Sequence, residues 1–217
     1  MPGKEFIAEL KKDYRAKRPL ITARLSEFKE AYEKGDRAIF EELCYCILTA
    51  GSSARMGMRT VEALRDILHA GGERELQQRA EKNRVRFWRI RPSYIYQTRE
   101  HLRGLCGLEL RKLIDSFESP QARRDFFAKS KAIKGLGYKE ASHFLRNIGF
   151  RGYAILDMHI INSLREMGVI TKKMKPTTRA GYLEIEQRLA RFAEEIGIDM
   201  DHLDLLLWSR KTGEILK

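Results

Sequence analysis

Apolar side chains recur along the chain at intervals of three and four residues, which is the spacing of one face of an α-helix. Alternation with a period of two, the pattern of a strand, is nearly absent. The clearest stripes are Ile39, Leu43, Cys46, Ile47 and Ala50 in one segment and Ile185, Leu189, Phe192 and Ile196 in another. The pattern therefore predicts an all-α protein of about ten helices joined by short loops.

Boundary residues divide these stripes into separate helices. Ser119 followed by Pro120 is a typical N-cap and first-turn pair. Asp36 and Asp157 each precede an apolar stripe, and aspartate is a strong N-cap. The segment 199–210 predicts a last short helix. The 217 residues suit one large domain or two small lobes that share a core, and we expect two lobes with a central cleft between them.

The balance of charge indicates the kind of partner. The chain has 42 Lys and Arg against 30 Asp and Glu, a net charge of +12. Proteins this basic usually bind a polyanion, either nucleic acid or an anionic membrane surface. Residues 79–103 carry eight Arg and Lys against two Glu, which is half of the net charge. Four aromatic residues are interleaved with them: Phe87, Trp88, Tyr94 and Tyr96.

The planar guanidinium group of arginine can donate two hydrogen bonds to one phosphate, and nucleic-acid bases stack on aromatic rings. We expect the arginines of this segment as a group, Arg84, Arg86 and Arg99 among them, to contact phosphate. The alternative for each single aromatic residue is burial in the core, since large apolar side chains are usually inside.

Several classes of protein are disfavoured. No apolar run approaches the roughly 20 residues that span a bilayer, and the N-terminus lacks the apolar core of a signal peptide. Three cysteines cannot supply the four thiolates of an iron–sulfur cluster, and Cys44 and Cys46 lie in an apolar run where they pack in a core. We expect a protein of the cytoplasm, with no membrane association, no cofactor and no catalytic metal.

The most informative segment is 131–149, in which Gly135-Leu136-Gly137 enters an amphipathic helix. Two glycines let the backbone turn tightly and come close to a ligand. The N–H groups at the start of the following helix can then bind a phosphate. This pattern predicts a helix-hairpin-helix that grips the DNA backbone without reading sequence, with contacts from Lys134, Gly135, Gly137 and Arg146 and, in the basic segment, from Arg84 and Arg86.

Lys139 follows the hairpin by two residues and lies in the first turn of the next helix. The helix dipole and nearby basic residues disfavour its ammonium form, so Lys139 is a candidate amine nucleophile. The alternative is a surface lysine that contacts only phosphate. Asp157, 18 residues further on, is a second candidate for the chemistry, and the role of N-cap does not exclude it.

These residues resemble a known group. A Gly-x-Gly hairpin, a lysine two residues later and an aspartate 18 residues beyond are the signature of helix-hairpin-helix DNA glycosylases with lyase activity. The strings 134–147, 42–50 and 208–217 are similar to its archaeal and thermophile branch, the second family of 8-oxoguanine DNA glycosylase/AP lyases. The resemblance covers most of residues 37–217. It implies a helical lobe over about 36–125, a helix-hairpin-helix over about 125–149, and a second lobe from the N-terminal segment and about 150–217.

The resemblance also implies the roles of single residues. Lys139 would attack C1′ of the damaged nucleotide, release 8-oxoguanine and form the Schiff base that leads to β-elimination, with Asp157 assisting. Phe87 and Trp208 would sandwich the flipped base, and Lys217 matches the C-terminal lysine that contributes to base recognition. The implied partner is double-stranded DNA that contains a damaged base. We expect a monomer in the cytoplasm of a prokaryote, at the nucleoid.

The chain departs from the family pattern at two positions. Met158 stands where many members have a basic residue, and Gly51 stands where Asn is usual. Three other interpretations stay open: a non-catalytic DNA-binding module, a glycosylase for another oxidised base, and a basic helical scaffold for a protein or a membrane. The first does not need Asp157 or the segment 208–217. The best-known enzymes of the second kind carry a four-cysteine cluster, which is absent here.

Overall fold

The computed structural model describes residues 3–217, and these residues form eleven α-helices and no strand. The prediction of an all-α protein is therefore confirmed. No helix among them has both the length and the apolar character needed to cross a membrane. The helices are α1 (Lys4–Glu33), α2 (Asp36–Thr49), α3 (Ala54–Leu64), α4 (Glu73–Lys82), α5 (Arg91–Cys106), α6 (Leu110–Asp115), α7 (Pro120–Lys129), α8 (Tyr138–Asn147), α9 (Met158–Glu166), α10 (Arg179–Ile196) and α11 (Met200–Thr212).

The chain divides into two compact units. The first combines the residues up to Phe28 with Phe150–Lys217, and the second is Lys29–Gly149. Helix α1 contributes residues to both of them.

The second unit is built around α2, which packs against α3, α5, α6 and α8. Because neighbours surround it, α2 buries most of its length rather than one stripe. Cys44 and Cys46 are fully buried there, which confirms that they are core residues. Burial raises the pKa of the Cys44 thiol well above its ordinary value, so this cysteine is unreactive.

The start of α2 differs from the prediction. Gly35 is its N-cap, and Asp36 is the first residue inside the helix. The expectation that Asp36 caps α2 is therefore wrong. Its carboxylate instead accepts a hydrogen bond from the backbone N–H of Arg111 at 2.7 Å, and so satisfies a donor in the first turn of α6.

The first unit consists of the beginning of α1 together with α9, α10 and α11. The apolar stripe predicted around Ile185 and Leu189 is buried in α10. Asp157 caps α9 as predicted, since its carboxylate accepts from the Ile160 N–H at 2.8 Å. In the second unit, Ser119 caps α7 in the same way through the Ala122 N–H.

Candidate active site and DNA-contact surface

The hairpin joins α7 to α8 in the second unit through residues 130–137. The Lys134 N–H donates to Thr98 Oγ1 on α5 at 2.9 Å, which fixes the loop to the body of the unit. Gly135 has a φ of +79°, and a Cβ added there would lie 2.9 Å from Tyr94 Cδ2. Gly137 has an extended backbone, and a Cβ there would meet only Glu140 Oε2 at 3.5 Å. The two glycines therefore have different roles, because only Gly135 is required by the fold.

We expect Gly135→Ala to destabilise the protein by at least about 1 kcal/mol, because alanine disfavours the left-handed backbone and its methyl group meets the Tyr94 ring. Urea denaturation followed by circular dichroism measures this difference. Gly137→Ala is the matched control, with an expected change of less than about 0.5 kcal/mol. Equal stability of the two variants would contradict the assignment.

Lys139 is the second residue of α8, and its side chain is 30% exposed. Its Nζ lies 3.0 Å from Glu140 Oε1. The other carboxylate oxygen of Glu140 accepts from the Gly137 N–H at 3.3 Å, which caps the helix. This role of Glu140 was not predicted from the sequence, because glycine lacks the side chain that completes the Ser/Thr-x-x-Glu pattern of a capping box.

The first turn of α8 is also tied to α7. Tyr138 Oη donates to Asp125 Oδ1 at 2.8 Å, and Lys129 Nζ donates to Asp125 Oδ2 at 2.7 Å. Burial raises the pKa of Tyr138, and its hydrogen bond to Asp125 adds to the rise. The phenol therefore stays neutral and keeps donating, so the backbone next to Lys139 is held in place.

Arg146 lies at the other end of α8 and is only 5% exposed. Its Nη2 donates to Asn147 Oδ1 at 3.3 Å, and Asn147 Nδ2 donates to Glu42 Oε2 on α2 at 3.2 Å. The guanidinium is engaged inside the unit, which argues against the phosphate contact expected from the sequence.

The basic segment places an exposed aromatic ring between α4 and α5. Phe87 is 41% exposed, although large apolar side chains are usually buried, and it has a φ of +61°. The guanidinium carbon of Arg86 lies 4.6 Å from the centre of this ring, and Arg86 Nη1 donates to the Gly51 carbonyl at 2.8 Å. Arg91 Nη2 donates to the Ala50 carbonyl at 3.0 Å. The α2–α3 loop thus supports the arginines that flank Phe87.

Arg84 and Arg99, two further arginines of the basic segment, differ in their exposure to solvent. Arg84 is exposed and has a φ of +53°. Arg99 is 1% exposed, and it donates to the carbonyls of Leu68 at 2.9 Å and Gly71 at 2.7 Å. The expectation that Arg99 contacts phosphate is therefore wrong, because it satisfies carbonyls of the α3–α4 connection instead.

In the first unit, Asp157 follows residues 152–156, which form no regular secondary structure and are buried from Tyr153 to Leu156. Their N–H groups donate to side chains because no strand lies beside them. Gly152 N–H donates to Asp201, Ala154 N–H to Glu186, Ile155 N–H to Asp204 and Leu156 N–H to the Tyr182 hydroxyl, at 3.0 to 3.3 Å. Side chains of α10 and α11 therefore fix the backbone that leads into Asp157.

Charged side chains surround the beginning of this segment. Asp201 is 4% exposed, and burial raises the pKa of its carboxyl against the opposing effects of the Gly152 N–H and of Arg151. Arg151 Nε donates to Asp201 at 2.9 Å, and its Nη2 donates to Asp199 at 2.6 Å. These carboxylates were not predicted as partners of the segment, because the sequence position of an acid on a helix does not indicate which distant group it will bind.

Trp208 and Lys217 belong to the same unit as Asp157. Trp208 is half-buried near the end of α11, and its carbonyl accepts from Thr212 Oγ1 at 3.0 Å. Gly213 ends the helix in the left-handed conformation, and half-buried residues 214–217 follow. Met158, in place of the usual basic residue, is 72% exposed directly after Asp157.

The structure thus groups the predicted site residues by unit. Lys139, the hairpin and Phe87 lie in the second unit, and Asp157, Trp208 and Lys217 lie in the first. Among residues 3–217, no group of three His, Cys, Asp or Glu side chains is suited to hold a metal ion.

Comparison with known proteins identifies the family. A sequence model of the helix-hairpin-helix 8-oxoguanine DNA glycosylases matches residues 21–198. The chain belongs to the 8-oxoguanine DNA glycosylase family. A relative from Korarchaeum cryptofilum, named 8-oxoguanine DNA glycosylase/AP lyase, is 40% identical to this member over 92% of the chain and 91% of its own length.

Two solved structures of one protein of the family agree with this assignment. The crystal structure of Methanocaldococcus jannaschii 8-oxoguanine DNA glycosylase matches with a TM-score of 0.87 and 35% identity, over 99% of this family member and 98% of that chain. The same archaeal enzyme bound to a 15-mer DNA that contains 8-oxoguanine matches with a TM-score of 0.86 over 97% and 100%. The glycosylase fold predicted from the sequence is therefore confirmed.

Proposed function

We propose that the chain is a bifunctional enzyme of base-excision repair that removes 8-oxoguanine from double-stranded DNA and then cuts the strand. Membership of the family, with relatives named 8-oxoguanine DNA glycosylase/AP lyase over more than nine-tenths of the chain, supports this activity. The net charge of +12 suits a DNA partner. We further propose that it acts as a monomer in the cytoplasm of a prokaryote, at the nucleoid.

In the proposed reaction, the Lys139 amine attacks C1′ of the damaged nucleotide, and the N-glycosidic bond breaks as the base leaves. Opening of the sugar ring yields a Schiff base between Lys139 and C1′. Loss of a proton from C2′ then expels the 3′ phosphate by β-elimination. Asp157 accepts the proton of the amine or stabilises positive charge on the sugar.

Other residues bind the DNA. The reacting carbon is inaccessible in a stacked duplex, so the base must be flipped out. Phe87 and Trp208 are proposed to stack on the flipped base, and Lys217 to recognise it. Phosphates are contacted by the hairpin through Lys134, Gly135 and Gly137 and by the basic segment through Arg84 and Arg86. Because Arg86 also bonds Gly51, its phosphate contact uses the remaining donors of its fork.

The observation that carries the proposal is the place of Lys139. It is the second residue of the helix that follows a glycine hairpin, and its side chain is 30% exposed. The free N–H groups of this first turn favour a phosphate beside it. An amine at this place can therefore reach the sugar of a bound nucleotide. Its ion pair with Glu140 must open before Nζ can approach the sugar.

Borohydride trapping tests the proposal. The protein is incubated with a duplex that contains one 8-oxoguanine and is then reduced, and a covalent protein–DNA adduct is expected on a denaturing gel. Lys139→Gln should abolish the adduct. Lys131→Gln is the matched control, since it removes an exposed lysine from the start of the same hairpin and should leave the adduct intact.

An adduct that needs both the lesion and Lys139 would support the Schiff base and the substrate together. Salt-sensitive DNA binding without an adduct, on this lesion and on other damaged bases, would replace the enzyme by a DNA-binding module. An adduct that persists in Lys139→Gln would assign the nucleophile to another residue.

A further inference from the structure

The last residues of the chain are held by α1. Arg24 on α1 donates from Nη2 to the carbonyl of Ile215 at 3.3 Å, and it pairs with Glu27 one turn further along the helix. The Arg24 side chain is only 28% exposed. This contact joins residues 191 positions apart within the first unit.

The segment 213–217 follows the end of α11. It forms no regular helix, and Gly213, at a φ of +81°, lets it turn away from α11. A cavity of about 250 Å³ lies between the segment and α1, lined by Leu20, Ala23 and Ile215 among others. The hydrogen bond from the charged Arg24 therefore contributes to where this segment lies beside α1.

We propose that Arg24 is a positioning residue for recognition of the damaged base. It holds the Ile215 carbonyl two residues before Lys217, and thereby sets where the Lys217 side chain lies. The inference rests on the proposed function, in which Lys217 recognises the flipped base. Arg24 itself touches neither the base nor the sugar in this assignment.

The two steps of the reaction separate this role from a general structural one. Excision of 8-oxoguanine needs the base to be recognised, whereas cleavage at a ready-made abasic site involves no base. Loss of the Arg24 contact should therefore impair the first step and spare the second. A defect in folding would impair both.

The experiment compares Arg24→Met with the unchanged protein under single-turnover conditions on two duplexes, one with 8-oxoguanine and one with an abasic site. Methionine keeps the apolar stem and removes the donors. We expect excision to slow about tenfold, as for loss of one hydrogen bond from a charged group, and abasic-site cleavage to stay within about twofold. Arg24→Lys keeps a charged donor and should restore part of the excision rate.

Arg15→Met is the matched control, because it removes the same charge from an exposed position of the same helix and should change neither rate beyond the effect of net charge. In a Lys217→Ala background, Arg24→Met should slow excision little further, since both act through the same contact. An equal loss on both duplexes, an unchanged excision rate or full additivity with Lys217→Ala would each overturn the proposal. Failure of the proposed function would be seen separately. In that case the unchanged protein itself would neither excise 8-oxoguanine nor form the borohydride adduct through Lys139.

Discussion

Replacing Asp157 by Asn should slow the excision of 8-oxoguanine by about 10² to 10⁴-fold while leaving the stability of the fold nearly unchanged. The carboxylate of Asp157 caps α9 through the Ile160 N–H at 2.8 Å, and the asparagine carbonyl oxygen can accept the same bond. Asparagine cannot accept the proton of an amine, nor can it stabilise positive charge on a sugar. The substitution thus removes only the chemistry that we propose.

Single-turnover excision and urea denaturation of the same protein measure the two effects. Asp157→Ala serves as the companion variant, because it also removes the cap and should lose about 1 kcal/mol of stability. A full excision rate in Asp157→Asn would leave Asp157 with the role of a cap alone, and proton transfer would have to come from another group, such as Glu140.

Asp204→Leu should destabilise the protein by about 3 kcal/mol, the largest effect on stability that we expect. Asp204 is 2% exposed and accepts the Ile155 N–H at 3.2 Å. Leucine fills a similar volume but leaves this buried donor without its acceptor. Because Ile155 lies two residues before Asp157, the loss should also lower the excision rate.

Asp204→Asn is the matched control, since it keeps an oxygen for the Ile155 N–H and should recover most of the stability. Chemical denaturation of both variants, at equal pH and salt, gives the comparison. If leucine and asparagine destabilise the protein equally, charge rather than the hydrogen bond is what Asp204 contributes.

Features that depend on neighbouring residues could be predicted from the sequence. The caps at Ser119 and Asp157 and the stripe of α10 follow from spacings of three and four residues, which a helix fixes locally. Lys139 could be placed in the first turn of its helix for the same reason. Asp36 was assigned wrongly because Gly35 before it takes the capping position, and aspartate is common in both places.

Features that depend on distant partners could not be predicted. Arg99 belongs to a segment rich in arginine, but its guanidinium is buried and donates hydrogen bonds to the carbonyls of Leu68 and Gly71. The contact of Arg24 with Ile215 likewise joins two ends of the sequence. The composition gives the number of charged side chains, but which of them are exposed to solvent depends on the fold.

The discontinuity of the first unit has a consequence for the order of folding. Residues 29–149 form a continuous stretch, so they can complete their own core as soon as the ribosome has released them. The beginning of α1 cannot do so, because its partners in α11 are made last, and closing so long a loop is entropically unfavourable. During synthesis, the hairpin that we propose contacts phosphate is therefore assembled before the half of the protein that carries Asp157. Under the proposed function, we expect an incomplete chain released at this stage to bind DNA without excising the base.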